Sequence, residues 1–257
     1  MLFEDGKESS RVVGANPPEL RKMADRVKSI AEGGSTSAGA SGGARWLGVA
    51  LPKGYTDVTD QIDTRGLDLL NADSEFGGVK TIFEAGPPSQ LGQSSEKGKT
   101  KASDDGGEAG RDWIESDTDP QLMLFMPFQS TLKVHTLHLT CLPPQEPNES
   151  DDEVPMRPRT IQLYTNRAHN LGFEEAEDIQ PTQTFELMEG DWDVNTGTAK
   201  LELRFVKFQN VTSLVLFVVD GDGEGERTRI DRLRVIGESG EKREMGKLEK
   251  IGDEPGE

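Results

Sequence analysis

QLMLFMPFQSTLKVHTLHLTCL, residues 121–142, decides the fold. Its second half alternates: Leu137, Leu139 and Cys141 fall on one side of an extended chain and Thr136, His138 and Thr140 on the other, as the two-residue period of a β-strand requires. Its first half, QLMLFMPF from Gln121, is one of the short apolar runs that set the rhythm of an all-β domain. The stretch is expected to hold two strands, QLMLFMPF and LKVHTLHLTCL from Leu132.

Working outward, further short apolar runs are separated by Gly, Pro, Asn and Asp. They are TIQLYT from Thr160, QTFELM from Gln183, LELRFVKF from Leu201, TSLVLFVVD from Thr212 and RIDRLRVIG from Arg229. In the last, Leu233 and Val235 face one way and Arg232 and Arg234 the other, while Leu214 to Val219 is apolar on both faces and reads as a central strand. No long helical pattern lies between these runs. The expected fold is therefore all-β, an antiparallel β-sandwich of about eight strands. NLGFEEAEDIQPTQ, from Asn170, is expected to form a loop or a single helical turn.

Polar tracts mark the boundaries. AEGGSTSAGASGGA, from Ala31, offers almost nothing to bury and reads as a flexible linker over 31–45. Two more tracts, 85–110 and 143–158, read as disordered insertions in loops, because strand-like segments flank each of them. A charged tail, 238–257, closes the chain and is expected to be mobile. Before the linker, Asn16 caps, Pro17 suits a first helical position, and Leu20, Met23, Val27 and Ile30 repeat at helical spacing, so one amphipathic helix is expected outside the sandwich.

The chain carries 47 acidic against 29 basic residues, a formal charge of −18, which disfavours a nucleic-acid or anionic-lipid partner. Its single cysteine, Cys141, excludes an internal disulfide framework and a CxxC pair, and no apolar run is long enough to span a membrane. A reducing compartment, cytoplasmic or also nuclear, is the expected location.

Chemistry-bearing residues are sparse. Cys141 lies on the apolar face of its strand and reads as buried. His135 and His138, three apart in a strand, are expected on opposite faces, and with His169 they make no metal set. Glu174 and Glu175 lack an opposing carboxylate, and the glycines of DGDGEGE, 220–226, are interleaved with acids that would repel a phosphate. No catalytic residue, metal site or cofactor is expected. Arg204, Lys207, Arg227, Arg229, Arg232 and Arg234 form the one basic concentration. They are candidates for a protein-docking patch, the alternative being pairing with local carboxylates such as Glu202 and Asp231. Trp192 is the best-placed aromatic for a ligand site in a loop.

Two resemblances bear on function. Phe3, Gly6, Lys7, Arg11, Val12, Val13, Gly14, Ala15 and Asn16 match in order the strand that leads into the final helix of a thioredoxin domain. Residues 1–30 thus resemble the end of such a domain without its catalytic cysteines, as if the chain began late. From about Trp46 onward, WIESDTDPQLMLFMPF, VHTLHL, RPRTIQLYTN, GFEEAE, PTQTFEL, RFVKFQNVTSLVLFV and TRIDRLRVIG resemble the PITH domain in order and spacing. That resemblance implies a jelly-roll sandwich over 46–237, galactose-binding-like in outline. It also implies a non-enzymatic interaction module that docks on the proteasome's regulatory particle. The alternative it leaves open is a thioredoxin-like redox protein whose CxxC half is missing from this chain.

Overall fold

The computed structural model describes residues 2–4, 7–10, 45–92, 111–144 and 154–240. Two compact units divide the chain, Met1–Gly43 and Ala44–Glu257. In the first, β1 (Leu2–Glu4) and β2 (Lys7–Ser10) form an antiparallel hairpin. The helix expected over 15–30 and the linker up to residue 44 lie outside the described residues, as do 93–110, 145–153 and 241–257.

The second unit is an all-β antiparallel sandwich built around one strand. β6 (Leu122–Thr140) runs through both expected strands of the opening stretch without ending. Its first part pairs with β4 (Asp68–Leu70) on one side and β10 (Val211–Gly221) on the other. Beyond Thr131 the partners change to β12 (Arg232–Ser239) and β9 (Thr198–Glu202). One layer therefore reads β4–β6–β10–β7–β8, with β7 at Pro158–Thr165 and β8 at Gln183–Glu186. The other reads β3–β12–β6–β9, with β3 at Thr56–Asp57. Pro127, which cannot donate to a ladder, sits close to where the partners change, so the missing N–H does not end the strand. A separate ribbon pairs β5 (Ile114–Glu115) with β11 (Arg229–Ile230).

Between the layers lies the main core, where Leu124, Leu216 and Leu163 of one layer meet Leu137, Leu201 and Leu233 of the other. A second, smaller core covers the outer face of the first layer. There Met123, Phe125, Tyr164, Val215 and Phe217 are packed under α2 (Phe173–Asp178), which contributes Phe173 and Ala176. The both-faces-apolar pattern of β10 has this cause. Tyr164 ties the helix down, its hydroxyl lying 3.0 Å from the Ala176 carbonyl, to which it donates.

Four expectations are corrected. The run from Leu201 to Phe208 is not one strand: β9 stops at Glu202 and Phe205–Phe208 form a 3-10 turn, whose tighter winding buries Phe208 and leaves Phe205 half-exposed. The run from Arg229 breaks at Asp231 into β11 and β12, because the Asp231 amide bonds to Thr140 and its carboxylate accepts the Leu142 amide at 2.8 Å. The tract from 85 is ordered through α1 (Ser89–Gly92). The other tract is ordered from 154, with Met156 bridged to Thr228.

Candidate functional site

Strand alternation sends Arg232 and Arg234 to the outer face of the second layer, yet they are among the most buried side chains in the unit. Arg229, Arg232 and Arg234 are 2%, 1% and 1% exposed. Guanidinium groups tolerate this only when their donors are satisfied, and here main-chain carbonyls satisfy most of them. Arg232 donates to the carbonyls of Gly86 at 3.1 Å, Pro87 at 3.1 Å and Asp112 at 2.6 Å, and to the Asp112 carboxylate at 2.6 Å. Arg234 donates to Trp46 at 2.8 Å, Ile82 at 3.2 Å and also to Glu84. Arg229 forms a two-pronged pair with Asp231, at 3.0 and 2.6 Å, and its guanidinium lies 3.8 Å from the centroid of the Trp113 ring. These three arginines are internal fasteners for the segments at 46, 82–87 and 112. The docking-patch expectation is corrected for them, because a partner cannot reach them. For Arg229 the carboxylate alternative is met through Asp231.

Electrostatics follow the burial. Burial pulls the Arg234 guanidinium down to about 10, against an opposing pull from Asp57. Burial would raise the Asp112 carboxyl, but hydrogen bonds from Ser89 and Arg232 outweigh it and hold the group below the usual aspartate range. Cys141 donates to the Arg229 carbonyl at 2.9 Å, and burial, with Asp231 nearby, pushes its thiol far up. A thiol held protonated is a poor nucleophile.

The histidines need a second correction. Leu132 and Val134 enter the main core, and so do Leu137 and Leu139, so the alternation slips by one between them. The ladder shows where: Ile236 faces Thr136 while its neighbour Gly237 faces Val134, leaving His135 as an extra, bulged residue. The bulge puts His135 and His138 on the same outer side instead of opposite faces. They still do not converge. His135 stacks on Tyr55, ring centroids 4.0 Å apart, whereas the Nδ1–H of His138 donates to the Leu47 carbonyl at 3.0 Å. Among the described residues no three His, Cys, Asp or Glu side chains stand together as a metal site would need. Trp192, the loop aromatic, is 5% exposed and covered by Arg157, which removes it as an open ligand platform. Glu174 and Glu175 occupy the first turn of α2. A cleft of 380 Å³ beside that helix is walled by Ile179, Pro181, Phe217 and Val219 with Gln121 and Gln162, and Glu177 is the one ionisable side chain that lines it.

The remaining three basic candidates do reach the surface. Arg227 is partly exposed and lies 3.6 Å from Asp73. Arg204 and Lys207 are exposed, the first capping the 3-10 turn and the second within it. The turn is fixed from below: the Leu203 amide donates to the His135 carbonyl at 2.9 Å, the Arg204 amide to the Gln183 side chain at 2.8 Å, and the Lys207 ammonium to the Thr182 carbonyl at 2.9 Å. Phe205 lies edge-on to Tyr55, with centroids 5.9 Å apart, and equally close to His135. Between the two cations Val206 points outward, 86% exposed. Sequence reasoning missed this aromatic trio because Tyr55, His135 and Phe205 are far apart in the chain and none lies in a motif.

The chain is 32% identical over 251 residues to thioredoxin-like protein 1 of Schizosaccharomyces pombe, covering 98% of this chain and 72% of that protein. It is 28% identical over 129 residues to a PITH domain-containing protein of the same yeast, covering 49% of this chain and 55% of that one. Among solved structures, the family 32 CBM from C. perfringens NanJ in complex with galactose has TM-score 0.38 at 10% identity, over 71% of this chain and 98% of that one. A likeness that distant carries no ligand over. The family model for the PITH domain matches residues 48–253, nearly the whole of the second unit, and the chain belongs to the PITH domain family.

Proposed function

We propose that the chain is a non-catalytic protein-interaction module that docks on the proteasome's regulatory particle, in the cytoplasm and the nucleus. One observation supports a binding role most directly. The groups best suited to chemistry, Cys141, His138 and the three central arginines, are buried and used to hold the sandwich, whereas two exposed cations, Arg204 and Lys207, stand on a surface turn whose Phe205 ring meets the half-exposed Tyr55 and His135 rings. The proteasome as partner follows from the resemblance to the PITH family. The test is co-sedimentation of the full chain with intact proteasomes at low and moderate salt. Stoichiometric recovery that weakens with salt is expected; no recovery at either salt would count against the proposal.

A redox role is a second reading, favoured by the alignment with thioredoxin-like protein 1, which extends over 98% of the chain. The chemistry of the described residues weighs against such an activity residing in them, since thiol–disulfide exchange starts from an accessible thiolate and Cys141 offers none. Measurable insulin reduction by the purified chain in dithiothreitol would favour this second reading over the first.

A further inference from the structure

We infer that the turn at Arg204–Lys207, backed by the rings of Tyr55, His135 and Phe205, is the surface that engages the partner, and that it takes an acidic peptide segment carrying an aliphatic side chain. This rests on the interaction-module reading and adds to it a place and a chemistry. Three features of the surface point the same way. Val206, which follows Phe205 in the chain, is 86% exposed, an apolar projection that water solvates poorly and a partner's aliphatic group would cover, and the Phe205 ring lies edge-on to Tyr55. Arg204 has no carboxylate within ion-pair distance among the described residues, and Lys207 donates only to a carbonyl there, although the chain as a whole carries a formal charge of −18. The nearest exposed acid along the chain, Glu202, is already paired with Lys200 at 2.8 Å. Two unneutralised cations on an acidic protein make the turn a local attractor for carboxylates, while the rest of the surface repels an extended polyanion. A short acidic stretch with an apolar anchor satisfies both conditions. The turn is also pre-organised, held by the Leu203, Arg204 and Lys207 bonds to His135, Gln183 and Thr182, so little ordering cost falls on binding.

The probe is a fluorescein-labelled peptide of glutamates and aspartates with two central leucines, titrated with the full chain by fluorescence anisotropy. A second peptide replaces the leucines with serines. Binding of the first peptide is expected to weaken by about tenfold or more in Val206→Asp and in the double variant Arg204→Glu/Lys207→Glu, and to weaken with the serine peptide. Lys80→Glu, an exposed charge change elsewhere, should leave it unchanged, and matched urea midpoints show that the variants fold. Undiminished binding by both turn variants, or no binding by the wild-type chain, overturns the assignment. A labelled single-stranded oligonucleotide or phosphatidylserine vesicles that bind wild type and lose binding in the same variants would overturn the peptide class. The same variants in proteasome co-sedimentation separate the two proposals. If wild type and variants sediment alike, docking stands and this surface falls. If wild type does not sediment but the peptide binds in a variant-sensitive way, docking falls and the surface stands.

Discussion

His138 shows how a side chain's surroundings become a pH response. It is 1% exposed, its Nδ1–H is committed to Leu47, and its Nε2 has no hydrogen-bond partner among the described residues. Burial lowers its pKa, helped by Lys200 and Arg234 and opposed by the Leu47 bond and Asp57. The unfolded chain takes up this proton near 6.5 and the folded chain resists it, so the contribution to stability is complete above that pH and declines as pH falls below it. The urea midpoint should therefore drop between about pH 7.5 and about pH 5.5, by no more than about 1.4 kcal/mol of stability per pH unit from this one group. The variant His138→Gln keeps a donor for Leu47 and should show a smaller drop; equal drops in both proteins would exclude His138 as the source. Alternation in the sequence already put Arg232, Arg234 and His138 opposite the core side chains. It did not reveal that this side is covered, because the covering segments come from positions 46, 82–87 and 112, and neither spacing nor hydropathy links them to β12.

At the level of elements, the bulge in β6 depends on its partner strand as much as on His135. A Cβ on Gly237 would run into the Lys133 carbonyl, a backbone atom that cannot step aside without breaking the ladder. Gly237→Ala is expected to cost about 2–4 kcal/mol of unfolding free energy in urea titration, well above an ordinary exposed glycine change. Gly78, around which a Cβ meets nothing, provides the comparison as Gly78→Ala. A loss at Gly237 no larger than at Gly78 would mean that the strands reseat freely. The period-two pattern made most of the strands legible, including the doubly buried β10. It failed where a regular period was assumed to persist: through the bulge at His135, and past Glu202, where Phe205 and Phe208 look like continued strand but belong to a tighter turn. A slip of one residue leaves composition untouched, so only the ladder exposes it.

For the molecule as a whole, β6 belongs to both layers, and neither can detach while it stays paired with the other. The slowest-exchanging amides of β10 and β12 should therefore report one common opening free energy in native-state hydrogen exchange, moving together as denaturant is added. Two separate limits would mean that the layers open independently. The sandwich and the family were legible from the order of the runs, and Arg204 and Lys207 of the proposed surface from the basic concentration; the rings behind them were not, since Tyr55, His135 and Phe205 come together only after folding. The arginine fasteners have one more implication. They grip Trp46, Ile82, Gly86, Pro87 and Asp112 chiefly through peptide oxygens, and every amino acid offers a peptide oxygen. Where the gripped residue is exposed, as at Glu84, Gly86 and Pro87, the outer wrapping of this sandwich is thus anchored in a way that is indifferent to its own side chains, which leaves those positions free to diversify in recognition while β12 keeps their course unchanged.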